Sequence, residues 1–212
     1  HRKSHRFGGC GIMISTLDYG RLLQYLQSRS SLMLQAVEAL VRYESPSTDK
    51  THLDTLSKHL ERRFRAIGCG VSLITDPICG DHIDVLFEDK ISYLAPDPAF
   101  ILGHYDTVWP IGSVDSNPFR IEGGKAIGPG VFDMKAGLVI TEFAIEAIRS
   151  LMLEMPRPVM MLLTSDEEIG SPTSRNIIEK HARLASYTLV MEPSLPGGVL
   201  KTARKGIGKF TL

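Results

Sequence analysis

The chain has 212 residues, 43% of them hydrophobic, and its 24 basic and 24 acidic side chains leave no net charge with histidine neutral. That balance, without a basic or acidic tail, argues against a dedicated nucleic-acid surface and favours a small-molecule partner. No apolar run reaches the ~18 residues of a membrane span. The odd set Cys10, Cys69 and Cys79 contains no C-x-x-C pair, which fits a reducing, cytoplasmic compartment better than a disulfide framework.

Residues 1–12 are basic and Gly-rich and read as a disordered or non-native extension, with His1 and His5 as tail residues. A folded domain is expected over 13–203. From Leu17 to Tyr43 apolar residues recur at helical spacing, which predicts one or two amphipathic helices. Glu44-Ser45-Pro46-Ser47 breaks the run, and Ser47 or Thr48 is expected to cap a further helix that runs to about Ala66. Short strands are expected near Val71–Thr75 and Ile83–Glu88, and a buried one over Phe100–Gly103 that delivers His104. A hairpin over 118–127 turns at Gly123-Gly124. The remaining elements are a helix over Met134–Leu153, a central strand over Val159–Thr164, a helix from Ser171 or Thr173 to about Leu184, and a strand over Tyr187–Met191. The alternation predicts an α/β fold, a central mixed, largely parallel sheet flanked by helices. In such sheets chemistry gathers beyond the carboxyl ends of the strands.

Potential metal ligands collect at those ends. One strand leads into His104-Tyr105-Asp106, another into Asp166-Glu167-Glu168, and a third into Glu192. The Gly-rich stretch Gly128-Pro129-Gly130 places Asp133 at the start of a helix. Each piece has a plain reading alone: His104 as a core histidine, Asp133 as a helix cap, Asp166–Glu168 as a solvated acidic turn. The i,i+2 spacing of His104 and Asp106 puts both on one face, where Asp106 could accept the second imidazole N–H and fix its tautomer. Asp133 is the best candidate to bridge two divalent ions ~3.5–4 Å apart, with Glu168 as a ligand and Glu167 free to shuttle protons. A dinucleotide fingerprint fails, because its third glycine would fall at Asp133.

Gly-His104-Tyr-Asp106-Thr-Val, Gly-Pro-Gly-Val-Phe-Asp133-Met-Lys-Ala-Gly, Thr-Ser-Asp-Glu167-Glu168-Ile-Gly-Ser and Met-Glu192-Pro-Ser, in this order, resemble a known group. It is the two-zinc peptidase family of bacterial glutamate carboxypeptidase, acetylornithine deacetylase, succinyl-diaminopimelate desuccinylase, aminoacylase and peptidase T. The resemblance implies two Zn2+, with Co2+ or Mn2+ as substitutes. His104 and Glu192 would hold one ion, Glu168 the other, and Asp133 would bridge them. It further implies Glu167 as general base, Asp106 as the orienting residue, and a cis peptide after Asp133. The implied reaction is hydrolysis of an amide or peptide bond next to a free carboxylate, nearest in wording to the glutamate carboxypeptidase branch. A deacylase or desuccinylase of the same family is the alternative, and a non-catalytic binding relative is disfavoured by the presence of Glu167.

In that family a lid and dimerisation domain interrupts the catalytic domain, which then resumes to supply one more histidine ligand. Residues 204–212 resemble the opening of that lid, so the chain is expected to be the N-terminal catalytic portion of a homodimeric enzyme. The second metal would then be held poorly by these residues alone. His181, in a polar helix, is expected to face solvent.

Overall fold

The computed structural model describes residues 16–88 and 97–203; the expectations for residues 1–12, Cys10 among them, and for 204–212 fall outside the described residues. The first apolar stretch divides at Arg29 into α1 (Thr16–Ser28) and α2 (Ser30–Arg42). Helix α3 (Lys50–Ala66) buries Leu53, Leu56, Leu60 and Phe64 along one stripe, the spacing of an amphipathic helix against a core. Its cap is neither Ser47 nor Thr48. Asp49 accepts the His52 N–H at 3.1 Å, and Ser47 points inward.

The strands that follow are β1 (Gly70–Ile74), β2 (His82–Phe87) and β3 (Ala99–His104). After a short helix α4 (Ser113–Ser116) comes the expected hairpin, β4 (Arg120–Glu122) and β5 (Lys125–Ile127), with Gly123 and Gly124 both at positive φ in its turn. The chain continues through α5 (Ala136–Ser150), β6 (Val159–Thr164), α6 (Arg175–Leu184) and β7 (Tyr187–Val190). The main sheet runs β1-β2-β6-β3-β7. It is mixed: β1, β2 and β6 are antiparallel neighbours, whereas β6, β3 and β7 run parallel.

Side-chain alternation gives the sheet two different faces. Val71, Ile83, Val85, Phe87, Met161 and Leu163 share one face and join the core formed with α2, α3 and α5. A Cβ at Gly103 would come within 3.0 Å of Met134 Cε and 3.2 Å of Leu138 Cδ2, so α5 rests directly on β3. The opposite face is covered by α6, whose His181 ring stacks on Phe100 with centroids 5.4 Å apart.

Two further helix starts differ from expectation, and α5 ends at Ser150 rather than Leu153. Helix α5 begins at Ala136, not Met134, because residues 131–135 form an irregular turn. Helix α6 begins at Arg175 because the Asp166 carboxylate takes the Thr173 and Ser174 N–H groups at 2.8 and 3.0 Å.

His181 is also corrected. It is 8% exposed rather than solvent-facing, with Nδ1 donating to Ile177 O at 2.9 Å and Nε2 3.4 Å from Asp84 Oδ1. The bond to Asp84 raises the imidazole above its ordinary 6.5, against the opposing effect of burial. A raised folded value means the pair stabilises the fold below the ordinary value and loses that contribution as pH climbs through the raised one. Asp84→Asn is therefore expected to lower the thermal unfolding midpoint at about pH 5.5 and to leave it nearly unchanged at about pH 9. Melting curves at the two pH values check it.

Candidate metal centre

Parallel order explains why the site residues meet. With β6, β3 and β7 side by side, their carboxyl ends lie at one edge. His104 closes β3 opposite Thr164, Asp166–Glu168 continue from β6, and Glu192 lies two residues past the end of β7. Asp133 comes from the turn before α5. Gly130 makes that turn possible, since a Cβ there would fall 2.6 Å from Thr107 Cγ2 and its φ is +66°. Asp133 is extended and is not a cap; Lys135 occupies the cap of α5. The Asp133–Met134 peptide is cis, as the resemblance implies.

All five candidate side chains converge. His104 Nε2 lies 3.0 Å from Asp133 Oδ1, 3.2 Å from Glu192 Oε1 and 3.9 Å from Glu167 Oε2. Two donor sets, His104–Glu167–Glu192 and His104–Asp133–Glu168, each bring their ligating atoms within 4.8 Å of one another. His104 is buried, whereas Asp133 and Glu167 remain about half exposed at the mouth. His181 belongs to neither set.

The electrostatics follow from that crowding. Burial lowers the His104 imidazole, but the hydrogen bonds it donates to Asp106 and Glu192, with the charges of Asp106 and Glu167, outweigh it and carry the value to about 11. Burial lifts the Glu167 and Glu168 carboxyls, and neighbouring carboxylates lift them further while His104 opposes. The bond with His104 lowers Glu192. One imidazole among four carboxylates is a donor set that suits divalent cations such as zinc, whose charge would offset the repulsion among the acids.

Asp106 stands behind these groups, fully buried. Its Oδ1 lies 3.2 Å from His104 Nδ1 and accepts the Glu167 N–H at 3.2 Å. Its Oδ2 accepts the Glu168 N–H at 3.1 Å and the Ser47 hydroxyl at 2.7 Å. His104 Nδ1 also faces Asp106 O at 3.0 Å, so Nδ1 carries a proton and Nε2 is the nitrogen turned to the carboxylates. A second buried network supports the Glu167–Glu168 turn from below. Asp166 Oδ2 accepts the Thr173 hydroxyl at 2.9 Å, Thr173 Oγ1 faces His82 Nε2 at 3.0 Å, and His82 Nδ1 accepts the Ser165 N–H at 3.3 Å.

The end of α2 and its link to α3 touch the chain at Asp106, at Gly112–Val114 and at Lys135, a role that sequence reasoning missed. The Glu44 carboxylate accepts the Gly112 and Val114 N–H groups, both at 2.9 Å. Lys135 Nζ donates to Tyr43 O at 2.8 Å and Leu40 O at 3.1 Å, and its burial brings the ammonium down to about 7. The signal present in the sequence was two serines around Pro46, which read more simply as a helix start.

Comparison with known proteins places these residues in a family. Residues 100–204, which contain all six candidate positions, match Peptidase family M20/M25/M40. Carboxypeptidase G2 of a Pseudomonas species is 29% identical over 83% of this chain and 42% of its own length. A succinyl-diaminopimelate desuccinylase of Variovorax paradoxus is 30% identical over 56% of this chain and 34% of its own. Human carnosine dipeptidase 1 superposes with a TM-score of 0.71 at 18% identity, over 83% of this chain and 41% of that one. An M20 family metallo-carboxypeptidase of Sulfolobus solfataricus gives 0.65 at 21%, over 78% and 38%. The chain thus spans less than half the length of these relatives.

Asp106→Asn would present an amide NH2 to one of the two donor pairs. It is expected to weaken divalent-metal binding by about 10- to 100-fold with the far-UV circular dichroism preserved. Calorimetric titration with Zn2+ reads the affinity directly.

Proposed function

The chain belongs to peptidase family M20/M25/M40, and from that membership we propose that it carries the catalytic groups of a metal-dependent hydrolase acting on an amide or peptide bond beside a free carboxylate. The likeness to Carboxypeptidase G2 over 83% of the chain supports this reaction class. The desuccinylases among the relatives favour a second reading within it, removal of an acyl group from an amino acid. The substrate under either reading is a small molecule.

His104, Asp133, Glu168 and Glu192 are the residues that would hold two zinc ions. Bound divalent cations would supply a Lewis acid for the scissile carbonyl and make water acidic near neutral pH. The protein groups do the remaining work. Asp106 keeps the proton on His104 Nδ1, which reserves Nε2 for coordination. Glu167 takes a proton from the attacking water and returns it to the departing amine. Its carboxyl is suited to both steps, since burial and neighbouring acids hold it above the ordinary carboxylate value.

The observation carrying this assignment is the divergence of two adjacent glutamates. Glu168 lies with His104 and Asp133, while Glu167 stands at the mouth, 3.9 Å from His104 Nε2. Because Glu167 also lies in reach of His104 and Glu192, the competing assignment makes it a ligand. Glu167→Gln separates the two. As general base, its loss lowers turnover of N-acyl-glutamate and dipeptide substrates by about 10^2- to 10^4-fold while bound zinc, measured by elemental analysis, stays at the wild-type level. Zinc lost together with activity would instead make Glu167 a ligand, and an unchanged rate would remove it from the mechanism.

A further inference from the structure

Ser47 provides no ligand and caps no helix, yet it is buried and its hydroxyl is aimed at the site. Its bond to Asp106 Oδ2, at 2.7 Å, is the shortest of the four contacts that carboxylate makes with donors. The hydroxyl has one proton to give, and its other acceptor, Thr107 O, lies at 3.5 Å. The serine backbone is fixed independently of that bond. Ser47 N–H donates to Thr107 O at 3.3 Å, Thr107 N–H to Ser45 O at 2.8 Å, and Ser45 Oγ to Tyr105 O at 2.8 Å. Residues 45–47 are thus a bracket lying alongside 105–107.

A carboxylate offers about four lone-pair positions, and here each is matched. His104 and Glu167 share Oδ1; Glu168 and Ser47 share Oδ2. Three of the four donors belong to residues that carry the proposed chemistry themselves. Ser47 is the exception. It is the reference that ties the carboxylate's rotation to a segment outside the site.

We infer that Ser47 is a positioning residue: it fixes the rotation of the Asp106 carboxylate, and through it the ring plane of His104 and the Glu167–Glu168 peptide. Without the hydroxyl, Oδ2 keeps only the Glu168 N–H, and the carboxylate can turn away from His104 Nδ1 without losing a second strong bond. The inference rests on the reading that this site holds divalent cations.

The test uses Co2+ as probe, titrated into the metal-free chain and followed by visible absorption, which reports coordination geometry. Ser47→Ala is expected to weaken Co2+ binding by about tenfold or more and to alter the visible bands. Ser47→Thr and Ser47→Val have the same shape and differ by the hydroxyl alone, so any packing defect is common to both. Thr is expected to keep the wild-type spectrum and most of the affinity, and Val to behave as Ala does. This pair decides the matter if Ala compromises folding. Wild-type binding and spectrum in Ser47→Ala, or equal affinities in the Thr and Val variants, would overturn the role of Ser47 and leave the functional reading standing. A wild-type chain that takes up no Co2+ would overturn both.

Discussion

A fully buried carboxylate is costly unless its lone pairs are occupied, and the Asp106 side chain meets that requirement by collecting donors from three separate stretches of chain. One is its own strand end, through His104; one is the turn after β6, through two peptide N–H groups; one is the α2–α3 link, through Ser47. Those stretches hold one another in place through a single group. The fold is satisfied locally only when the imidazole, the two glutamates and the serine bracket are all where the site needs them. Stability of the region and geometry of the site are therefore one constraint.

The sheet divides its labour along the same line. Its parallel half, β6-β3-β7, delivers His104, Glu167, Glu168 and Glu192 to one edge. Its antiparallel half contributes core residues and, at the start of β2, His82. That ring reaches under the β6 exit to touch Ser165 and Thr173, and Thr173 in turn bonds Asp166. The antiparallel strands thus brace the turn that presents the glutamates, although they supply no candidate ligand.

Much of this was legible in the sequence. Apolar periodicity gave the helices and strands, and polar residues at the ends of apolar runs identified the groups that now lie together. What escaped depended on long-range bonds. Ser47 and Asp106 are far apart in sequence, and a Ser-Pro-Ser between two helices has an adequate local explanation as a cap. Asp166 delayed the start of α6 by taking N–H groups that a serine cap would have served. His181 was misread from its neighbours Glu179 and Lys180, which point elsewhere on a helix. Its true companions are Ile177 and Ile178, at helical spacing on the inward face, and they carried the signal.

Adjacent glutamates ordinarily share an environment, so the two roles proposed for positions 167 and 168 require a backbone that sends their side chains apart. Strand geometry would do this by placing them on opposite faces, one of which would leave the site. The chain leaves β6 instead, with both peptide N–H groups donating to different oxygens of one carboxylate. Each glutamate stays on the site side: Glu168 faces Asp133, and Glu167 faces Glu192 across His104. The same carboxylate fixes the His104 proton at Nδ1, so the nitrogen between those two groups of acids is Nε2. The proposed dinuclear arrangement with a separate proton carrier would rest on that one anchoring, because it would order the ligands and the base in a single step.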